Sequence, residues 1–387
     1  MKISYYCQHV LGIGHLRRSL EVVKSLMKDH EVTLILGGPP VSIDTTGCKI
    51  LKLPGLQMDR EFNNLIPSDN KLTLEGTKQK RQELLYNHFV SSTPDCFITE
   101  LYPFGRKAFR FELDPVLTAI KSKELPECKC ICSVRDILVE KTQGKEKFEK
   151  RVIATLNKYY SAILVHADPA VVELSETFEP LAEIQTPLYY TGYVNETLTA
   201  SNRSIRNEVN MGQQDSLIVA SAGGGSVGSE LFFAVISAFK GLLKTSPLAR
   251  LQIFTGPYCD AQMYEDLVAH TSENIKVDRF SNSFTDWLMA ADLSISMAGY
   301  NTCMNLLQTG VPALVLPFTQ NREQHLRASK LSCAAPIEVL DKTDLNTEIL
   351  LAKMIRQLQL QHQKTSVQLD GAARSLEIIN TLLTIGK

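Results

Sequence analysis

The sequence lacks any long apolar run. No segment reaches the roughly 18 consecutive apolar residues that a membrane-spanning helix requires. The start, Met1-Lys2-Ile3-Ser4-Tyr5-Tyr6-Cys7, also lacks the apolar core of a secretory signal. The expectation is a cytoplasmic protein, with peripheral membrane contact left open. Net charge is nearly absent too, at -1 over 387 residues, which gives no electrostatic reason to expect nucleic acid. The nine cysteines are odd in number and contain no CxxC pair, so neither a disulfide framework nor a tetrahedral zinc set is expected. Their tightest group, Cys128, Cys130 and Cys132, alternates at the strand period and reads as packed thiols on one strand face. No metal and no cofactor are expected.

What is present is an ordinary globular composition, 44% hydrophobic and 21% charged, long enough for two or three domains with cores of their own. Short apolar runs at Ile3 to Cys7, Glu31 to Leu36, Lys49 to Leu53, Cys96 to Thr99, Lys129 to Ser133 and Ala162 to His166 alternate with helical patterns. The first of these patterns is Leu16, Leu20, Val23 and Met27. Such alternation predicts a parallel sheet with helices on both faces. The stretch from Leu56 to Tyr86 is polar, with helical periodicity only over Thr77 to Leu85, and reads as a long excursion. The pattern weakens over Pro187 to Asn202, as expected of an interdomain connection. A second series of strands follows at Leu217 to Ala220, Leu251 to Phe254, Ile275 to Phe280, Leu293 to Ser296 and Ala313 to Leu316. The tail from Leu345 reads as helical, broken at Gly371.

Parallel sheets bind ligands at the carboxyl ends of their strands. In the first half this singles out His15 in the loop Gly12-Ile13-Gly14-His15, Glu100 closing Phe97-Ile98-Thr99, and Asp136 after Ser133-Val134-Arg135. In the second half it singles out Ser221-Ala222-Gly223-Gly224-Gly225-Ser226, where glycines permit close backbone approach and a helix start at Ser226 would offer N–H groups to a diphosphate. The loop lacks the Lys-Ser/Thr ending of a P-loop.

The Gly-x-Gly-His loop at Gly12, Gly14 and His15 pairs with Gly299-Tyr300-Asn301-Thr302, Gly310-Val311-Pro312-Ala313-Leu314 and Arg322-Glu323-Gln324. This combination resembles the GT-B glycosyltransferases, and within them the family 28-like group related to the bacterial enzyme that adds N-acetylglucosamine to lipid I. Pro94 to Gly105 and Ser133-Val134-Arg135-Asp136-Ile137 are similar to a subgroup of predicted glycosyltransferases. The resemblance implies an α/β chain with two Rossmann-like parallel-sheet domains facing a cleft. Residues 1–190 would form the acceptor-side domain, 191–205 a linker and 206–365 the nucleotide-sugar domain, with 366–387 as a helix crossing back to the first.

It further implies a nucleotide-sugar donor, usually a UDP-sugar, and an acceptor that is a saccharide, a lipid-linked molecule or a small molecule. Gly223, Gly224, Gly225 and Ser226 would surround the phosphates, and Gly299, Tyr300, Asn301 and Thr302 would approach phosphate and sugar. Phe280 and Ser281 would border the base, while Glu323 and Gln324 would meet sugar hydroxyls. Asn305 stands where relatives commonly place a glutamate that grips the ribose. Gly12 and Gly14 would shape the acceptor-side loop.

Transfer needs a base on the acceptor hydroxyl and stabilisation of the departing diphosphate. His15 suits the first role, with Glu100 or Asp136 orienting it or serving as the base instead. Helix N-termini suit the second, so an inverting, metal-independent transfer is expected. The competing readings are an isomerase of the UDP-N-acetylglucosamine 2-epimerase type and a non-catalytic nucleotide-sensing protein. A dinucleotide site is disfavoured because Arg17 replaces the third glycine of GxGxxG.

Overall fold

The computed structural model describes residues 1–8, 14–38, 45–58, 64–69, 71–139, 143–196, 204–212, 215–225, 227–318 and 322–384. The chain divides into two compact units, Met1–Glu196 with Gln368–Lys387, and Thr197–Val367.

The first unit is built on strands β1 (Lys2–Cys7), β2 (Glu31–Leu36), β3 (Lys49–Lys52), β6 (Cys96–Glu100), β7 (Lys129–Arg135), β8 (Ala162–His166) and β9 (Leu188–Tyr190). Between β3 and β6, β4 (Leu56–Met58) and β5 (Leu65–Pro67) form an antiparallel hairpin. The seven-stranded sheet runs β3-β2-β1-β6-β7-β8-β9 and every pairing in it is parallel. Its central strands β6 and β8 are buried at every residue, as expected of strands covered on both faces. Helices α1 (Gly14–Leu26), α2 (Leu74–Ser92), α3 (Arg110–Lys121) and α4 (Lys145–Tyr159) complete the main layers.

The second unit repeats the plan with β10 (Leu217–Ser221), β11 (Arg250–Phe254), β12 (Ile275–Asp278), β13 (Leu293–Met297), β14 (Ala313–Leu316) and β15 (Ile337–Val339). They form a parallel sheet in the order β12-β11-β10-β13-β14-β15. Its helices are α5 (Ile205–Glu208), α6 (Ser229–Leu242), α7 (Ala261–Val268), α8 (Phe284–Ala290), α9 (Tyr300–Thr309), α10 (Arg322–Leu331) and α11 (Thr347–Gln357). Leu231, Val235, Ala238 and Leu242 of α6 are all buried in the core with Leu251, Ile253 and Leu293.

The chain then rejoins the first unit. Gln368 donates its N–H to Asp168 Oδ2 at 2.9 Å and accepts from the Tyr193 N–H at 2.8 Å. Helix α12 (Gly371–Thr384) follows, and its Ile378, Ile379 and Leu383 join the core containing Leu16, Leu20 and Val23 of α1. Gly371 admits no side chain, because a Cβ there would lie 2.4 Å from Gly192 O.

Several expectations are corrected. Thr191, Tyr193 and Val194 are buried within the first unit rather than forming the start of a linker, and β9 lies just before them. Residues 197–203 of the expected linker lie outside the described residues. Strand β12 stops at Asp278, which leaves Phe280 beyond its end. The tail is not helical between α11 and α12. The polar excursion contains the β4–β5 hairpin, and α2 is longer than its periodicity suggested because Thr73 caps it and Arg81 anchors it internally.

Arg81 is fully buried and all five of its N–H donors are satisfied. Nε and Nη2 grip Glu112 Oε2 and Oε1 at 2.8 and 2.6 Å, Nη1 reaches Gly37 O and Pro54 O, and Nη2 also reaches Gln8 Oε1. The Tyr6 hydroxyl donates to the same carboxylate. Gly37 is obligatory, since a Cβ there would sit 2.1 Å from Arg81 Nη1. One guanidinium thereby fixes the segments leaving β1 and β2 against α2 and α3. Replacing it strands a buried carboxylate, so Arg81→Met should lower the unfolding free energy by about 3–5 kcal/mol in urea denaturation. An unchanged midpoint would show that the clamp does not hold these segments.

Candidate functional site

In each sheet the chain adds strands on one side and then returns to the other, creating a switch point where ligands bind in open α/β folds. In the first unit that point lies between β1 and β6. Glu100 is the last residue of β6, and His15 and Arg18 sit on the first turns of α1, after β1. His15 Nδ1 lies 2.7 Å from Glu100 Oε1, and Arg18 Nη2 donates to the same oxygen at 2.6 Å. Glu100 is completely buried and Arg18 nearly so, while the His15 side chain keeps 21% of its surface exposed.

The electrostatics assign the proton. Burial alone would raise the Glu100 pKa, but His15, Arg18 and Arg106 outweigh it and hold the carboxyl well below the usual range. An ionised carboxylate only accepts hydrogen bonds, so Nδ1 of His15 carries the proton and donates to Glu100. The 3.3 Å approach of Arg18 Nη2 to that nitrogen is then a contact between donors. Burial pushes the His15 pKa down, Glu100 pulls it up, Arg18 and Arg106 push it down again, and the result is about 4. At neutral pH the ring is therefore uncharged, with Nε2 a lone-pair acceptor. Behind this pair, Tyr5 and His166 both meet Ser133 Oγ, at 3.2 and 2.8 Å, and His166 Nδ1 meets Thr191 Oγ1 at 2.9 Å.

In the second unit the switch point lies between β10 and β13, and the two glycine loops follow these two strands. They wall a cavity of about 230 Å³ lined by Ala222, Gly223, Gly224, Gly225, Val227, Met297, Gly299, Thr302 and Gln324. A Cβ added to Gly223 or to Gly299 would come 3.9 Å from Thr302 Oγ1, so that hydroxyl sits between the loops. Helix α9 has Gly299 as N-cap with no side-chain cap, which leaves its positive end available to an anion. Gln324 Oε1 accepts the Phe318 N–H at 3.0 Å, which fixes the amide at the cavity wall. Gly256, after β11, packs against this loop. It has φ +95°, and a Cβ there would lie 2.5 Å from the Gly224 carbonyl carbon.

The structure thus brings together His15 with Glu100, and Gly223, Gly224 and Gly225 with Gly299, Thr302 and Gln324. Asp136 is fully buried just past β7, and the carboxylate on His15 Nδ1 is Glu100. Gly14 opens α1, and His15 is the second residue of that helix rather than part of the loop. Phe280 is exposed, and Ser281 bonds Ser283 at the entry to α8, so neither lines the cavity. Tyr300 packs its ring under Arg327, Asn301 is half-buried on the first turn of α9, Asn305 is half-buried one turn further, and Glu323 is half-buried beside Gln324. None of these four is among the lining residues. Helix α6 starts at Ser229 behind Gly228, not at Ser226, because Gly228 adopts φ +108°. Gly12 and Ser226 lie outside the described residues. Sequence reasoning missed Arg18, Arg106 and Gly256. The first was findable, three residues after His15 on one helix face. Among the described residues, no cluster of three or more His, Cys, Asp or Glu side chains is arranged to hold a metal ion, and no helix is long and apolar enough to cross a membrane.

Two parallel-sheet units, each with its site at the switch point, are the architecture of the GT-B fold. Solved structures share it across nearly the whole chain. MurG of Acinetobacter baumannii aligns with a TM-score of 0.56 at 16% identity, covering 99% of both chains. A UDP-N-acetylglucosamine 2-epimerase of Listeria monocytogenes, itself described as putative, aligns at 0.64 and 13%, covering 100% of this chain and 97% of that one. Residues 220–379 match the glycosyltransferase family 28 C-terminal domain. The UDP-N-acetylglucosamine–N-acetylmuramyl-(pentapeptide) pyrophosphoryl-undecaprenol N-acetylglucosamine transferase of Carboxydothermus hydrogenoformans is 26% identical over 151 residues, 38% of this chain and 39% of that relative. The chain is a GT-B-fold protein related to the family 28 glycosyltransferases. It matches about two fifths of that curated relative's length.

Two outcomes test this geometry. The folded His15 takes a proton only near pH 4, whereas an unfolded histidine takes one near ~6.5, so its contribution to stability is present above the upper value and lost as pH falls between the two. NMR titration of the His15 ring should give a midpoint near 4, and an ordinary midpoint would remove the buried-pair account. Gly256→Ala should lower stability by about 1–3 kcal/mol or more through its left-handed backbone alone, measured by thermal unfolding.

Proposed function

We propose that the chain is a glycosyltransferase that moves a sugar from a nucleotide-sugar to an acceptor hydroxyl. The observation that carries this reading is that the whole glycine-walled cavity, from Ala222 to Gln324, falls inside the family 28 match at 220–379. By likeness to the curated relative, whose name specifies UDP-N-acetylglucosamine, the donor is a UDP-sugar. Its diphosphate would lie on the Gly223–Gly225 turn and the uncapped start of α9, where backbone N–H groups and the helix dipole favour negative charge.

In the proposed reaction, His15 Nε2 removes the acceptor hydroxyl proton as that oxygen bonds to the anomeric carbon. The bond from that carbon to the diphosphate oxygen breaks, and the nucleoside diphosphate leaves with the electron pair. Glu100 holds the ring in the Nδ1–H tautomer and stabilises the imidazolium that forms. Charge developing on the leaving group meets fixed backbone dipoles, so the reading is an inverting displacement that calls on no metal.

A hydrolysis screen over common nucleotide-sugars tests the donor half without needing an acceptor. One UDP-sugar should be turned over slowly, and nucleoside diphosphates should bind in calorimetry; no binding across the panel would sink the reading. His15→Ala should reduce transfer by about 10²-fold or more while leaving diphosphate binding largely intact. Conversion of a UDP-sugar to its epimer in the absence of acceptor would replace transfer with isomerisation.

A further inference from the structure

The turn joining β6 to α3, Leu101-Tyr102-Pro103-Phe104-Gly105-Arg106, starts immediately after Glu100. It is held hard in place. Leu101 N donates to Ser133 O and Gly105 N to Leu101 O, both at 2.7 Å, while the Tyr102 carbonyl accepts from Thr99 Oγ1 at 3.0 Å. Tyr102 and Phe104 are buried, the latter edge-on to Phe178 at 5.1 Å between ring centres. Two non-glycine residues in it, Leu101 and Arg106, adopt left-handed backbone at φ 66° and 53°. A conformation that disfavours a side chain is retained at Arg106 although glycine would adopt it freely.

What this anchoring delivers is a guanidinium with no counterpart. Among the described residues the Arg106 side chain makes no hydrogen bond or ion pair, and its Nε is buried without a partner. The Nη nitrogens are not enclosed in this way, so the stem is covered while the fork end is open. Its turn begins directly after Glu100, the partner of His15, and its charge acts on His15, Glu100 and Cys7, so it lies within electrostatic range of the base. His15 and Arg18 both engage Glu100 at Oε1, and among the described residues Oε2 takes no hydrogen bond from Arg106 or any other group. Arg106 is therefore a second cation at a site whose carboxylate has its cation. Arg81, by contrast, has all five of its donors filled.

We infer that Arg106 recognises an oxyanion, carboxylate or phosphate, carried by the acceptor close to the hydroxyl that meets His15. A planar fork with open donors is matched to such groups, and its charge-assisted bonds hold the acceptor where Nε2 can reach the reacting proton. Naming the ligand as the acceptor rests on the proposed transfer; the oxyanion site itself does not.

The test reads binding directly. The His15 ring resonances are followed by NMR at constant ionic strength while inorganic phosphate, glucose 6-phosphate, glucuronate and glucose are added in turn. The anions should move the resonances and glucose should not, and the stronger of glucose 6-phosphate and glucuronate identifies the preferred oxyanion. Arg106→Gly suits the left-handed backbone, so its melting temperature should not fall, yet its anion affinity should drop about 10- to 100-fold. Arg106→Lys, retaining charge without the fork, should fall between. Wild-type anion affinity in Arg106→Gly, or an equal response to glucose, would overturn the inference. So would a variant in which only the His15 titration changes, because Arg106 would then serve Glu100 alone. Donor hydrolysis by the same Arg106→Gly protein separates this failure from failure of the transferase reading, since it needs no acceptor.

Discussion

The structure depends on one topological constraint, the reversal of strand order within each parallel sheet. Because strands are added outward from β1 and then outward from β6, the loops leaving these two strands diverge and open a gap at their carboxyl ends. The same holds for β10 and β13. The chain fills the two gaps with opposite chemistry. After β1 and β6 it places a histidine, an arginine and a glutamate in direct contact. After β10 and β13 it places glycines, so that backbone and a helix end form much of the wall, with Thr302 and Gln324 adding polar side chains.

The buried charges of the first unit divide along the same logic. Arg81 and Glu112 are expensive to desolvate, and the chain offsets this by giving every guanidinium donor an acceptor. The result is a rigid support for the segments around the switch point. The cluster at His15 is not closed in this way. Among the described residues, Glu100 Oε2 and Arg106 Nε are both buried without partners. Buried polar groups left unsatisfied weaken a fold, and these two belong to the strand end and the turn beside a neutral, partly exposed histidine.

Much of this was legible in the residues. Strands such as Ala162–His166, apolar up to its closing histidine, and Ala313–Leu316 show as short apolar runs, and a strand buried on both faces leaves no other trace. The glycine turns were legible because a backbone that must pass close to another backbone excludes every side chain. Short edge or hairpin strands were not. Leu56–Met58, Leu65–Pro67, Leu188–Tyr190 and Ile337–Val339 have three residues each, too few for a period to show, and they form because a neighbouring strand supplies partners. The position of Phe280 and Ser281 differs from the expected strand end for a related reason: β12 ends two residues early, and both lie in the turn into α8, outside the lining of the cavity.

The sequence by itself determined the alternation of buried strands and amphipathic helices, the two glycine turns and the residue types available at strand ends, because these follow from local periodicity and steric exclusion. Tertiary structure decided which of them meet. It set Glu100, and not Asp136, on His15 Nδ1, although 85 residues separate the pair. It gave Arg81 five acceptors and, among the described residues, Arg106 none, a difference that the residue type does not carry. Proton affinity, burial and the presence or absence of a partner belong to the neighbourhood of a side chain, and in a parallel sheet that neighbourhood is assembled across crossovers from distant parts of the chain.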